Sequence, residues 1–134
     1  MLNKVEHIGI AVKNLDAANS LYATLLGVAH YKIETVESEQ VRTSFFKVGD
    51  TKIELLEALS DTSAIATFIA KRGEGMHHIA YDVSDIHLAM QQLSADGFRL
   101  LNEQPKRGAD NKWVCFIHPK DCNGVLIELC QSIS

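Results

Sequence analysis

The chain has 134 residues, of which 46% are hydrophobic and 22% charged, with a formal net charge of −4. That length is enough for one buried core, and the acidic balance argues against a general nucleic-acid binder, which needs a basic surface. No run approaches the ~18 apolar residues of a membrane span, the start lacks a signal-peptide layout, and three cysteines without CxxC spacing read as reduced thiols, so a cytoplasmic setting with no nucleic-acid or membrane partner is expected.

Residues 5–12 form a short run rich in β-branched side chains and read as a buried strand. Asn14 is placed to cap a helix in which Leu15, Ala18, Leu21, Tyr22, Leu25 and Leu26 recur at helical spacing, and Gly27 closes it. Residues 31–37 are a weakly patterned strand. Residues 41–48 (VRTSFFKV) and 51–56 (TKIELL) are strands joined by Gly49-Asp50, a two-residue hairpin turn. In the connection that follows, Asp61 or Thr62 caps a helix with Ile65, Phe68 and Ile69 facing inward, Lys71 and Arg72 in its last turn, and Gly73 at its end.

The pattern then starts again. Residues 78–83 are a strand, and Ser84 or Asp85 caps a helix carrying Ile86, Ala89, Met90 and Leu93 and ended by Gly97. Residues 98–101 begin a strand, followed by a polar loop with Pro105 and Gly108. Residues 113–118 and 125–130 make the last pair of strands, joined by the turn at 119–124. Two β-α-β-β-β modules result, about 1–58 and about 75–131, with a connecting helix at about 61–72. No Pro- or Ser-rich linker separates them, so they are expected to pack as a single domain spanning 1–134.

The repeat extends to residue types that carry chemistry. Lys4-Val5-Glu6-His7-Ile8-Gly9-Ile10-Ala11-Val12 matches Gly75-Met76-His77-His78-Ile79-Ala80-Tyr81-Asp82-Val83, at an offset of 71 from His7 to His78. Ile53-Glu54-Leu55 matches Ile127-Glu128-Leu129 at an offset of 74. Each module thus offers a His at the start of its first strand and a Glu inside its last. Taken singly, such a Glu reads as an edge residue facing solvent and such a His as a hydrogen-bonded structural residue. Recurring together in both halves, they equally fit a divalent cation, which offsets the cost of burying carboxylates and suits imidazole–carboxylate donor sets. His77, next to His78, should point to the other face of its strand. His30 and His87 read as surface residues, and His118 as shaping its turn.

These motifs, with His118-Pro119-Lys120-Asp121-Cys122-Asn123-Gly124-Val125-Leu126-Ile127-Glu128-Leu129, resemble the methylmalonyl-CoA epimerase family of the vicinal oxygen chelate superfamily over essentially the whole chain. The resemblance implies an α+β, glyoxalase-like fold in which the tandem modules form a cup-shaped mixed sheet. It implies His7, Glu54, His78 and Glu128 as ligands of a divalent metal ion such as cobalt, manganese, zinc or nickel. It also implies an acyl-CoA substrate and a homodimer. The reaction would be interconversion of (2R)- and (2S)-methylmalonyl-CoA by a 1,1-proton transfer through a metal-stabilised enolate, with Glu128 as one acid–base group.

Some members carry Gln at the position of Glu54, and the four ligands here also match the sibling glyoxalase I family, whose Asp-Pro-Asp-Gly turn this chain lacks. A glyoxalase I-like lyase or isomerase acting on a thiol adduct is one alternative, and a non-catalytic sequestering protein of the same fold is another. Where some members have a second catalytic Glu on the third strand, Thr43 stands here, leaving Glu39, Glu57 or a water for that role. Lys106, Arg107, Lys112 and Lys120 make a locally basic stretch that could meet the CoA phosphates or be a solvated loop.

Overall fold

The structure is a computed structural model describing residues 2–134. Its strands are β1 (Leu2–Ala11), β2 (Lys32–Val36), β3 (Val41–Val48), β4 (Thr51–Ala58), β5 (Gly75–Val83), β6 (Lys106–Gly108), β7 (Lys112–Ile117) and β8 (Ile127–Ser132). Its helices are α1 (Leu15–Leu26), α2 (Ala64–Arg72) and α3 (Ile86–Ala95). The order β-α-β-β-β therefore occurs twice, with α2 between. The chain forms two compact units: one is His7–His77, and the other joins the first residues through Glu6 to His78–Ser134.

In the His7–His77 unit the strands run in the order β2-β3-β4-β1. β1 is parallel to β4, while β4–β3 and β3–β2 are antiparallel. The Gly49-Asp50 hairpin forms as expected, with Val48 opposite Thr51 and Gly49 at φ 61°, where a side chain would strain the turn. α1 is capped by Asn14, whose side chain accepts from Ala17 N, and ends at Gly27 in the left-handed region. Its inward stripe covers one face of the sheet, where Val12, Leu15, Phe46 and Leu55 are buried among Ile10, Ala18, Tyr22, Leu26 and Ile53.

Leu21 and Leu25, expected in that stripe, are instead 60% and 68% exposed. The helix has a sheet on one side only, and these two positions turn past its rim. α2 packs on the other face, burying Ile65 with Ala11, Val41 and Leu56. Its cap is Ser63, whose hydroxyl accepts from Ile65 N, and not Asp61 or Thr62.

The second unit repeats the plan, with strand order β5-β8-β7-β6, β5 parallel to β8 and the other pairs antiparallel. Of the two possible caps of α3 the structure selects Asp85, whose carboxylate accepts from Leu88 N. Ile86, Ala89 and Met90 seal one face over Val83, Cys115, Ile117 and Leu129.

The second strand of this module lies at 106–108, in the expected loop. Residues 98–101, expected to be a strand, contribute one isolated bridge, Leu100 to Ile117. The reason is local. Asp110 and Asn111 take consecutive left-handed conformations (φ 60° and 56°) and fold Gly108 back opposite Lys112. Gly108 is required there, since a Cβ would come within 2.9 Å of a Val114 methyl. Among the described residues all three cysteines are free, and no helix is long and apolar enough to cross a membrane.

Candidate functional site

Each unit contains a buried His–Glu contact. In the first, His7 Nδ1 lies 3.1 Å from Glu54 Oε2, with both side chains about nineteen-twentieths buried. In the second, His78 Nε2 lies 3.3 Å from Glu128 Oε1, similarly buried. The edge-strand, solvent-facing reading of the two glutamates is thus excluded, because both are under 10% exposed. Each expected pair is brought together within its own unit.

The strand registers explain why a small residue stands two positions after each histidine. β1 places Gly9 beside Glu54, and β5 places Ala80 beside Glu128. In both cases the small residue two positions after the histidine leaves room for the carboxylate on the shared face. On the other flank the neighbour is a phenylalanine, Phe45 opposite Glu54 and Phe116 opposite Glu128. The Phe116 ring also meets His78 edge-on, with centroids 6.0 Å apart, and so fixes the imidazole plane. Each carboxylate thus sits between an aromatic wall and a gap. That setting excludes water and strengthens any charge it faces.

Each last strand does a second job three residues further on. Glu57 Oε2 accepts from Leu15 N at 2.8 Å and Gln131 Oε1 accepts from Ile86 N at 2.7 Å. Both satisfy the otherwise unpaired first amide of the module's helix. Glu57 also pairs with Arg42 at 3.2 Å. It therefore lies on the α1-covered face, away from Glu54, and its candidacy as an acid–base group fails. The signal was readable, since the cap sits at the same offset from the strand Glu in both modules.

The four basic residues of the 106–120 stretch do not form one cluster. Lys106 and Lys112 lie on the face of Glu128, in register with Val114 and Ser132. Arg107 stacks on Trp113 on the opposite face, 5.5 Å from its ring. Lys120 is exposed in a 3-10 turn at Pro119–Cys122. Lys112 is mostly buried, bonded to Ser132 Oγ at 2.7 Å and 3.9 Å from buried Glu6. This Glu6–Lys112 pair was not expected; the adjacency of Glu6 to His7 was its only trace.

The thiol nearest Glu128 is set against acting as a nucleophile. Cys130, two residues past Glu128, has its pKa driven far up by burial and then by Glu128 and Glu6, so it stays neutral. His77 points away from His78 and packs edge-on against Phe68 at 5.0 Å. Burial lowers its pKa to about 4. His118 shapes its turn as expected, its Nδ1 accepting from Lys120 N. His30 is half-buried against Phe46 instead of lying on the surface. Asp121 is held by Arg99, whose side chain and backbone bonds lower its pKa to about 2. This tie anchors the turn that leads into β8.

Comparison with known proteins agrees with this layout. The family model for the Glyoxalase/Bleomycin resistance protein/Dioxygenase superfamily matches residues 6–116. Ethylmalonyl-CoA/methylmalonyl-CoA epimerase of Cereibacter sphaeroides is 41% identical, covering 98% of this chain and 99% of its own. Among solved structures, a variant of Streptomyces coelicolor methylmalonyl-CoA epimerase in complex with 2-nitronate-propionyl-CoA superposes with a TM-score of 0.96 at 36% identity, covering 100% of this chain and 97% of that one. A methylmalonyl-CoA epimerase in complex with methylmalonyl-CoA and NH4+ gives the same figures, 0.96, 36%, 100% and 97%. The chain belongs to the glyoxalase/bleomycin resistance protein/dioxygenase superfamily and, within it, to the methylmalonyl-CoA epimerases.

Proposed function

We propose that this protein interconverts (2R)- and (2S)-methylmalonyl-CoA by moving the proton on C2. The observation that carries the reading is the buried His–Glu contact found in each unit, on a chain matching named epimerases over nearly its full length. Histidine and carboxylate together are the donor set of a divalent first-row ion, and two buried carboxylates call for a positive partner. His7, Glu54, His78 and Glu128 are the residues assigned to hold it. Bound there, a divalent cation supplies positive charge against the negative charge that develops on the thioester oxygen.

The protein's own part is positioning and proton transfer. Glu128 takes or returns the C2 proton on one face of the substrate. Gly9 and Ala80 keep the carboxylates clear, and Phe45 and Phe116 keep water from them. Lys106 and Lys120 are the proposed contacts to CoA phosphates, while Arg107 is turned to the opposite face against Trp113 and Lys112 is engaged by Ser132 and Glu6. A homodimer, a cytoplasmic setting and the packing of both units as one domain belong to the same reading.

Solvent deuterium should appear at C2 of methylmalonyl-CoA, with no turnover of a methylglyoxal–thiol adduct. Adduct turnover without C2 exchange would move the assignment to the glyoxalase type. Absence of both would favour sequestration.

A further inference from the structure

Inverting a carbon centre by proton transfer needs an acceptor on one face of that carbon and a donor on the other. Under the epimerase reading, on which this inference rests, Glu128 serves one face. Among the carboxylates of the His7–His77 unit, Glu57 is turned to α1 and Glu54 meets His7. Glu39 lies in the 3-10 turn Glu37–Glu39, beyond the end of β2 where Val36 packs under α2.

Glu34 is different. The β2–β3 register sets it directly opposite Thr43, and Lys32 opposite Phe45, whose neighbour on β4 is Glu54. Directly opposed residues of an antiparallel pair project to one face, with Cβ atoms about 5 Å apart. Glu34 and Thr43 therefore share the face of Glu54. Burial along β2 agrees: Lys32, Glu34 and Val36 are partly buried while Ile33 and Thr35 are exposed. The Glu34 side chain is 35% exposed and 3.7 Å from Lys32 Nζ, so it can exchange protons with water.

Beside it, Thr43 is 1% exposed and its hydroxyl has no hydrogen-bond partner among the described residues. A buried, unpaired hydroxyl costs stability unless some group arrives to use it.

We propose that Glu34 is the second proton carrier of the reaction, with the Thr43 hydroxyl holding the substrate against it. In one direction Glu128 takes the C2 proton, and the C–H electron pair delocalises into the thioester. Protonated Glu34 then delivers its proton to the opposite face of C2 and is left ionised. In the other direction the roles exchange, and water resets both groups between turnovers. The strand position where some family members place a Glu holds Thr43, and the carboxylate is supplied from the neighbouring strand.

The test is Glu34→Gln in the full-length, metal-loaded protein, with each epimer offered separately in deuterated water. Interconversion should fall on the order of 10²–10⁴-fold, while one epimer alone keeps exchanging its C2 proton without inverting. Lys32→Met, which removes the ion-pair partner of Glu34 and the cation over the Phe45 ring, should leave interconversion within about threefold of wild type. Wild-type interconversion by Glu34→Gln, or equal loss of exchange from both epimers, overturns the assignment. Absence of exchange in the wild-type protein would instead remove the epimerase reading itself.

Discussion

Glu57 reaches from β4 to the first turn of α1, where its Oε2 accepts the Leu15 amide at 2.8 Å. The same relationship recurs between Gln131 on β8 and Ile86 at the start of α3, at 2.7 Å. Each tie joins the strand that carries a site glutamate to the helix that backs its sheet. The site residue and the cap point to opposite faces because they are three apart on a strand of period two.

Removing the tie should cost stability and spare chemistry. Glu57→Ala leaves the Leu15 amide without its side-chain acceptor and Arg42 with only its longer contact to Asp16, and should destabilise the fold by about 1–2 kcal/mol. Gln131→Ala, which loses a neutral bond, should cost about 1 kcal/mol. Urea unfolding followed by tryptophan fluorescence measures both. Metal content unchanged in each variant would agree with caps that hold no ligand, and lost metal would contradict it.

The ligand pairs should behave in the opposite way. His78→Ala and Glu128→Gln should lose bound metal and lower C2 exchange on the order of 10²–10⁴-fold while the circular dichroism spectrum stays near wild type. Elemental analysis beside the exchange assay separates the effects. Full exchange by either variant would mean that the chemistry runs elsewhere.

Chelation provides an independent route to the same question. Treatment with a chelator should abolish exchange and lower the melting temperature, and adding Co2+, Mn2+, Zn2+ or Ni2+ should restore both. Ion at a hundred times its Kd contributes about 2.7 kcal/mol to the folded state. Calorimetry of the apo protein with and without each ion would show the shift, and identical curves would rule out a folded-state metal site.

Acid should weaken the fold in two separate windows. His77 has a folded pKa near 4 against 6.5 unfolded, because burial disfavours its charge. The unfolded chain binds the extra proton between those values, so stability falls as pH drops from about 6.5 toward 4. His77→Phe should flatten that slope in pH-dependent denaturation curves, and an unchanged slope would place the titration on another group.

The second window belongs to Asp121, whose pKa Arg99 lowers from 3.8 to about 2. Its contribution is complete above pH 3.8 and disappears as pH falls through about 2. Asp121→Asn should loosen the turn before β8, raising amide hydrogen exchange at residues 119–124 at neutral pH. Unaltered exchange there would show that the Arg99 tie is dispensable.

The sequence alone was enough for the module order, the hairpin at Gly49-Asp50, the Asn14 and Gly27 helix ends and the two His–Glu pairs. Those features rest on local periodicity, on residues with special backbone preferences and on repetition, all of which are written along the chain. Tertiary structure decided what depends on register and on which face a strand turns. It buried Glu54 and Glu128 instead of leaving them at an edge, put Glu57 on the wrong side for catalysis, separated Arg107 from Lys106, and set Glu34 across from Thr43. A shift of one residue exchanges the two faces of a strand. Hydrophobic pattern indicates which face is wet, but only pairing with a neighbouring strand determines which polar groups meet there.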